Sequence, residues 1–238
     1  MKRLLRSVYL SVAFIVSSGA VANDSLMVFT ENSPPYHYAE NGKVLGAVTE
    51  RVRNIVLRAG YEADFKVFPW ARAVLNTQRH SRALIFSIAR TPEREQQYQW
   101  ITPVTQFKLG ILTLSDRADI QFKDWSELTL LSVAAQRGDI AEKWLKERGF
   151  EEGKNLISCA DIICSWKELK RGTVDFIIED PELIAETARL VDMQSDSVQI
   201  HRLIPELSID AYLAASPQMP PAIVARLRRA ATDMGYRP

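Results

Sequence analysis

The sequence is short of the residues that most often carry out covalent chemistry. It has two cysteines, Cys159 and Cys164, and three histidines, His37, His80 and His201, spread along 238 residues. No histidine lies between Cys159 and His201 to complete a metal set, so neither a metal nor a cofactor is expected. No Gly-x-Gly occurs, which removes the dinucleotide fingerprint and the phosphate-gripping loop. A Gly-x-Ser-x-Gly elbow and a His-Glu-x-x-His helix are absent too. Charge of one sign is also missing: 30 Lys and Arg stand against 29 Asp and Glu. A chain so balanced has no electrostatic footprint for nucleic acid.

What is present begins with the N-terminus. Lys2, Arg3 and Arg6 precede an apolar run from Val8 to Val16, and Ala20-Val21-Ala22 precedes Asn23. That is the layout of a cleavable secretory signal over residues 1–22. The competing reading, a membrane anchor, needs roughly 20 apolar residues, and the run is well short of that. Cleavage after Ala22 and a periplasmic location are expected. Losing three basic residues and no acid takes the formal charge from +1 to −2. The remainder, 23–238, suits one larger domain or two small lobes, and 47% hydrophobic content is enough for a core. Export would place Cys159 and Cys164 where thiols oxidise. Their spacing does not suit one helix turn, so a structural disulfide requires a loop; free thiols are the alternative.

Strand-length apolar runs alternate with helical periodicity. Leu26–Thr30, Asp64–Phe68 and Ala83–Ile88 read as strands. Helices fall after the first two, one carrying Val48, Val52, Ile55 and Val56 and ending at Gly60, the other spanning Trp70–Arg79. After an extended run at Phe107–Leu114 the pattern restarts, with strands at Leu130–Ala135, Asn155–Ser158, Val174–Glu179 and Val198–Leu203. The intervening helices are Asp139–Arg148, Ile163–Arg171 and Pro181–Leu190; Ile209–Ala215 is extended, and Pro220–Met234 is a last helix with Pro221 in its first turn. Two strand–helix series imply two α/β lobes with mostly parallel sheets.

Two stretches carry a resemblance. One is Ser33-Pro34-Pro35-Tyr36 followed by Asn41-Gly42-Lys43-Val44-Leu45-Gly46. The other is Phe68-Pro69-Trp70-Ala71-Arg72-Ala73, then Phe86-Ser87-Ile88-Ala89-Arg90-Thr91-Pro92-Glu93-Arg94, then Trp100-Ile101-Thr102-Pro103. As an ordered set these resemble family 3 periplasmic solute-binding proteins, the polar amino acid receptors of ABC importers, in a branch with Pro-Trp-x-Arg-Ala and Arg-Thr-Pro-Glu-Arg motifs. The resemblance implies an α/β type II periplasmic-binding-protein fold: two lobes joined by two crossover strands, with a ligand cleft between them. The crossovers are expected near Thr105–Leu109 and Asp210–Ala215. Residues 23–107 and 213–238 would form lobe 1, and 108–212 lobe 2.

Arg94 follows a strand and a turn, at the C-terminal edge where open α/β sheets bind ligands, and a guanidinium there can grip a carboxylate. The family's matching arginine binds the ligand α-carboxylate; the plain alternative is a surface ion pair. Asp180 matches the family's aspartate for the ligand ammonium, but it could serve as a helix N-cap before Pro181. Glu179 is expected to point to the opposite side. Gln136, Arg137, Gly138 and Asp139 lie between a strand and a helix, where backbone N–H groups can receive an anion or Asp139 can simply cap. Trp70 and Tyr36 are candidate aromatic walls, or core. Ser87 offers a hydroxyl or backbone contact.

Three departures from the better-known receptors stand out. Ala89 replaces a ligand-binding hydroxyl, Arg72 and Arg90 add positive charge, and the chain reads to Pro238 without a last short helix. The first two favour a more acidic ligand. The expected function is capture of a small carboxylate-bearing solute by a monomer that performs no catalysis and presents itself to an ABC permease. The alternatives are a receptor read by a membrane sensor, and a lyase using Glu179 or Asp180 as acid or base.

Overall fold

A computed structural model describes residues 25–236; the signal segment lies outside the described residues. One eight-stranded sheet runs through the whole molecule in the order β4-β1-β5-β10-β6-β9-β7-β8. At one end β1 (Ser25–Thr30) lies parallel to both β4 (Glu62–Val67) and β5 (Ala83–Ala89). At the other, β7 (Val133–Gln136) lies parallel to β8 (Leu156–Cys159) and β9 (Phe176–Glu179). The centre is an antiparallel pair, β6 (Gln99–Leu114) and β10 (Val198–Ala215), long enough to belong to both ends.

This pair joins the two halves of the molecule. β10 pairs with β5 from Ala211 to Ala215, and β6 pairs with β9 from Gly110 to Leu112. Between them the β6–β10 register jumps, from Leu203 opposite Gly110 to Ser208 opposite Lys108. The two extended segments expected at Val198–Leu203 and Ile209–Ala215 are therefore one strand interrupted by a bulge. Such an insertion bends a strand and sharpens its twist, which suits a change from one sub-sheet to the other. Ala211 and Tyr212 already pair with β5, ahead of the expected boundary at residue 213.

Each half is a three-layer sandwich, because alternate strand residues point to opposite faces. In the first half Leu26, Val28, Leu84 and Phe86 pack under α1 (Ala47–Arg58) and α6 (Pro221–Asp233). Their neighbours Phe29, Ala83 and Ile85 pack with Trp70 and Ala73 of α2 (Trp70–Arg79). In the second half Val133 and Ala135 meet Trp144 and Leu145 of α3 (Ile140–Lys146), while Ala134 meets Trp166 and Leu169 of α4 (Ile162–Lys170). β5 is buried along all seven residues, as a central strand covered on both faces should be.

Local differences from the expected elements have local causes. The hairpin of β2 (Tyr38–Glu40) and β3 (Lys43–Leu45) is too short to show alternation, yet Asn41 at φ 50° and Gly42 at φ 74° give the Asn-Gly turn that two-residue hairpins favour. The expected Leu130–Ala135 strand starts only at Val133, because Glu127–Leu130 is a 3-10 turn that leaves Leu130 86% exposed. The expected Pro181–Leu190 helix divides into a 3-10 turn at Pro181–Leu183 and α5 (Ile184–Leu190). Cys159 ends β8 and Cys164 lies in the first turn of α4; they form a disulfide with a Cα–Cα distance of 5.6 Å. The bridge therefore spans a strand-to-helix corner rather than a free loop.

Candidate functional site

The C-terminal ends of the parallel strands in the two halves face each other across a cleft. From the first half come Glu31 after β1, Trp70 after β4, and Ser87, Ala89 and Arg94 at and after the end of β5. From the second come Gln136 and Asp139 after β7, Ile162 after β8, and Glu179 and Asp180 at the end of β9. Phe107 and Leu109 of β6 form the back wall. Together they enclose a cavity of about 80 Å³. A water needs about 10–15 Å³ by this measure, so the space fits a small solute and not a polymer.

Several polar contacts cross the cleft. Trp70 Nε1–H and Arg94 Nη2–H both donate to the carbonyl of Gly138, at 3.1 and 3.0 Å. The Tyr36 hydroxyl donates to Glu182 at 2.6 Å, and Gln136 Nε2–H donates to Glu31. Lys143 and Glu93 pair at the rim, 3.3 Å apart.

Backbone geometry sets these positions. Gly46, at φ 115°, lets the chain press against Tyr36: a Cβ there would sit 2.3 Å from the Tyr36 carbonyl oxygen. That oxygen accepts from Val48 N–H at the start of α1, which fixes the Ser33–Tyr36 turn. Ser87 holds a left-handed φ of 58° inside β5, a conformation that costs a non-glycine residue about 1–2 kcal/mol. The residue lines the cavity and is 2% exposed, and its buried hydroxyl has no hydrogen-bond partner among the described residues. Strain and an orphaned polar group at one position make Ser87 a candidate site residue.

Of the ten sequence candidates, the structure brings Arg94, Asp180, Trp70, Ser87 and Gln136 to the cavity. Tyr36 lies outside its lining, on the cross-cleft bond to Glu182. Arg72 is exposed, over the Phe68 ring at 4.6 Å. Arg90 is held by Glu95 at 2.6 and 2.8 Å. Arg137 reaches Ser158 and Glu152, away from the cavity. The positive charge expected near the site from Arg72 and Arg90 is therefore not there. Nor is the turn after β7 an open anion cradle. Its N–H groups at Arg137, Gly138 and Asp139 go to Cys159 O, the Glu142 carboxylate and Gln136 O, and Asp139 caps α3 by accepting from Glu142 N–H at 2.6 Å.

Sequence reasoning missed the acidity of the site. Glu31, Asp139, Glu179 and Asp180 all open on the cavity with a single guanidinium, Arg94. Burial pushes Glu31 up to about 8 and Asp139 and Glu179 up to about 7; repulsion from neighbouring acids adds to each shift, from Asp139 and Glu179 on Glu31, from Glu142 on Asp139, and from Asp180 and Asp139 on Glu179. Asp180 is also raised by burial, against the N–H groups of Glu182 and Lys108 that bond its carboxylate. Burial lowers Arg94, whose other donor contact is Ala89 O at 3.3 Å. Glu179 faces the cavity although it was expected to turn away. Asp180 has left the strand, so the two do not alternate; Glu179 accepts from Trp166 Nε1–H at 3.0 Å. Glu31 was findable: it directly follows a parallel strand, at the edge where such sheets bind.

Solved structures share this fold. An ancestral arginine-binding protein bound to arginine superposes with a TM-score of 0.76 at 20% identity, covering 89% of this chain and 92% of that one. ArtJ, the arginine-, lysine-, histidine-binding protein of Geobacillus stearothermophilus, gives 0.73 at 19% identity, covering 88% and 89%. A histidine kinase sensor domain with similarity to periplasmic binding proteins gives 0.74 at 20%, covering 89% and 91%. No curated protein matches the sequence. Residues 26–203 match the family model of bacterial extracellular solute-binding proteins, family 3, and the chain belongs to that family.

Proposed function

We propose that this protein is a periplasmic receptor that traps a small amino-acid-like solute between two lobes, changes no covalent bond in it, and presents the closed form to an ABC permease. Residues 23–107 and 213–238 would act as one lobe and 108–212 as the other, in a monomer. The observation that carries this reading is the shared cavity. Trp70, Ser87 and Arg94 of one half and Gln136 and Asp180 of the other open on the same small space. A solute there touches both halves at once, so binding energy favours closure.

Arg94 uses two donors of its five-donor fork on backbone carbonyls, which leaves others for a solute carboxylate. The arginine bound by the ancestral neighbour fits an amino acid ligand here. The sensor-domain neighbour favours a second reading, in which the closed form is read by a membrane sensor. Both readings use the same site and differ in the partner.

A thermal-shift screen of the mature protein against amino acids, dicarboxylates and amines tests solute capture. A true ligand raises the melting temperature with concentration, as mass action requires. Arg94→Ala should suppress that rise, with an affinity loss of about 2–5 kcal/mol. A hit that Arg94→Ala leaves intact would remove Arg94 from the site.

A further inference from the structure

We infer that the solute held in this cleft carries a positive charge, and that Glu31 is the residue that selects for it. The inference rests on the solute-capture reading above and names its ligand class, a small amine or guanidinium. Four carboxyl groups and one guanidinium open on the cavity, and the nearby arginines 72, 90 and 137 are directed elsewhere. The backbone N–H groups at 137–139 are already committed, so an anion would find Arg94 as its only charged donor.

The four acids are not equally satisfied. Asp180 accepts from two N–H groups, Lys108 and Glu182, each at 3.0 Å. Glu179 accepts from Trp166 and from Asp180 N–H. Asp139 caps α3. Glu31 receives Gln136 Nε2–H alone among the described residues. Behind it His37 bonds Thr30 and the Glu31 carbonyl through Nδ1, and burial keeps its ring neutral. It therefore lends Glu31 no charge. A buried carboxylate with one neutral donor, facing Asp139 and Glu179 and with only Arg94 as a cation within electrostatic reach, gains more than the others from a further cation.

A second observation, independent of the acids, points to a polar guest. Ser87, a residue only 2% exposed, lines the same cavity, and its hydroxyl has no hydrogen-bond partner among the described residues. It can accept from an ammonium or guanidinium N–H.

Calorimetric titration of the mature protein with L-arginine, L-lysine and putrescine, against L-glutamine and L-glutamate, tests the inference. At least one cation should bind about tenfold or more tighter than either competitor, since burying an unmatched charge costs at least that much. Glu31→Gln keeps an acceptor for Gln136 and should remove most of that preference, while changing L-glutamine affinity by only about threefold. Should this variant not fold, Asp139→Asn, which retains a capping oxygen, should lower cation affinity in the same direction. Tighter binding of L-glutamine or L-glutamate than of every cation overturns the charge assignment and leaves solute capture standing. An unchanged cation-to-glutamine ratio in Glu31→Gln overturns the role of Glu31. No binding by any of the five overturns the charge assignment, while solute capture falls only if the wider thermal-shift screen finds no ligand either.

Discussion

Trp70 Nε1–H donates to the carbonyl of Gly138 at 3.1 Å, from the first turn of α2 to the turn after β7 in the opposite half. Arg94 shares the same acceptor, and its guanidinium carbon lies 5.7 Å from the centre of the Trp70 ring. Gly138, at φ 77°, presents that carbonyl because it can turn where a side-chain-bearing residue would be strained. The bond exists only while the halves are together. Trp70→Phe keeps the aromatic wall and removes the donor. Solute affinity measured by calorimetry should fall about fivefold, the worth of a hydrogen bond of about 1 kcal/mol. The melting temperature of the solute-free protein should barely move.

The acidic cavity gives stability a pH dependence of definite sign. Folding raises Glu31 to about 8 and Asp139 and Glu179 to about 7, so the folded state holds protons that the unfolded chain has released. Stability from this source is present at low pH and is lost as pH rises through these values. His37 acts in the opposite sense: it is lowered to about 4 by burial, so it costs stability as pH falls below its ordinary value of 6.5. The carboxyl groups therefore act alone between about pH 6.5 and pH 8.5, and the melting temperature of the free protein should drop across that window. A cationic solute should bind more tightly at the upper end. A melting temperature that rises instead would contradict the burial of these acids.

Gly46 can be tested by scanning calorimetry. In Gly46→Ala the new Cβ meets backbone, the Tyr36 carbonyl at 2.3 Å, at a φ of 115° that side chains avoid. Backbone cannot swing aside as a flexible side chain can. The cost should be about 3 kcal/mol, a fall of about 6–12 °C for a domain of this size.

Much of the fold was legible because its elements are amphipathic or buried at regular spacing: Val48, Val52, Ile55 and Val56 in α1, and the continuous apolar run of β5. Trp70, Ser87, Arg94, Gln136 and Asp180 could be found because each sits where a parallel strand ends. What sequence could not supply is direction and pairing. Arg90 lies four residues before Arg94 yet is directed to Glu95, and its guanidinium stacks over Trp100 and Tyr212, each at 5.5 Å. Glu142 fills the cradle after β7 because a helix one turn on brings its carboxylate back to Gly138 N–H at 2.8 Å. Side-chain pairs of this kind, which a strand–helix pattern does not reveal, reversed the expected charge of the site.

The disulfide joins a strand end to a helix start beside Ile162, which lines the cavity. A loop this short constrains the unfolded chain only modestly. Replacing both cysteines by serine should cost about 2 kcal/mol, read as a lower urea midpoint. Because Asp161 still caps α4 through Cys164 N–H, solute affinity should change little.

Small-angle X-ray scattering of the mature protein, with and without the solute that gives the largest thermal shift, tests most directly whether the two halves clamp a guest. Saturating solute should reduce the radius of gyration in wild type and fail to do so in Arg94→Ala at the same concentration. A radius of gyration that stays the same in wild type while calorimetry reports binding would contradict closure around the cavity.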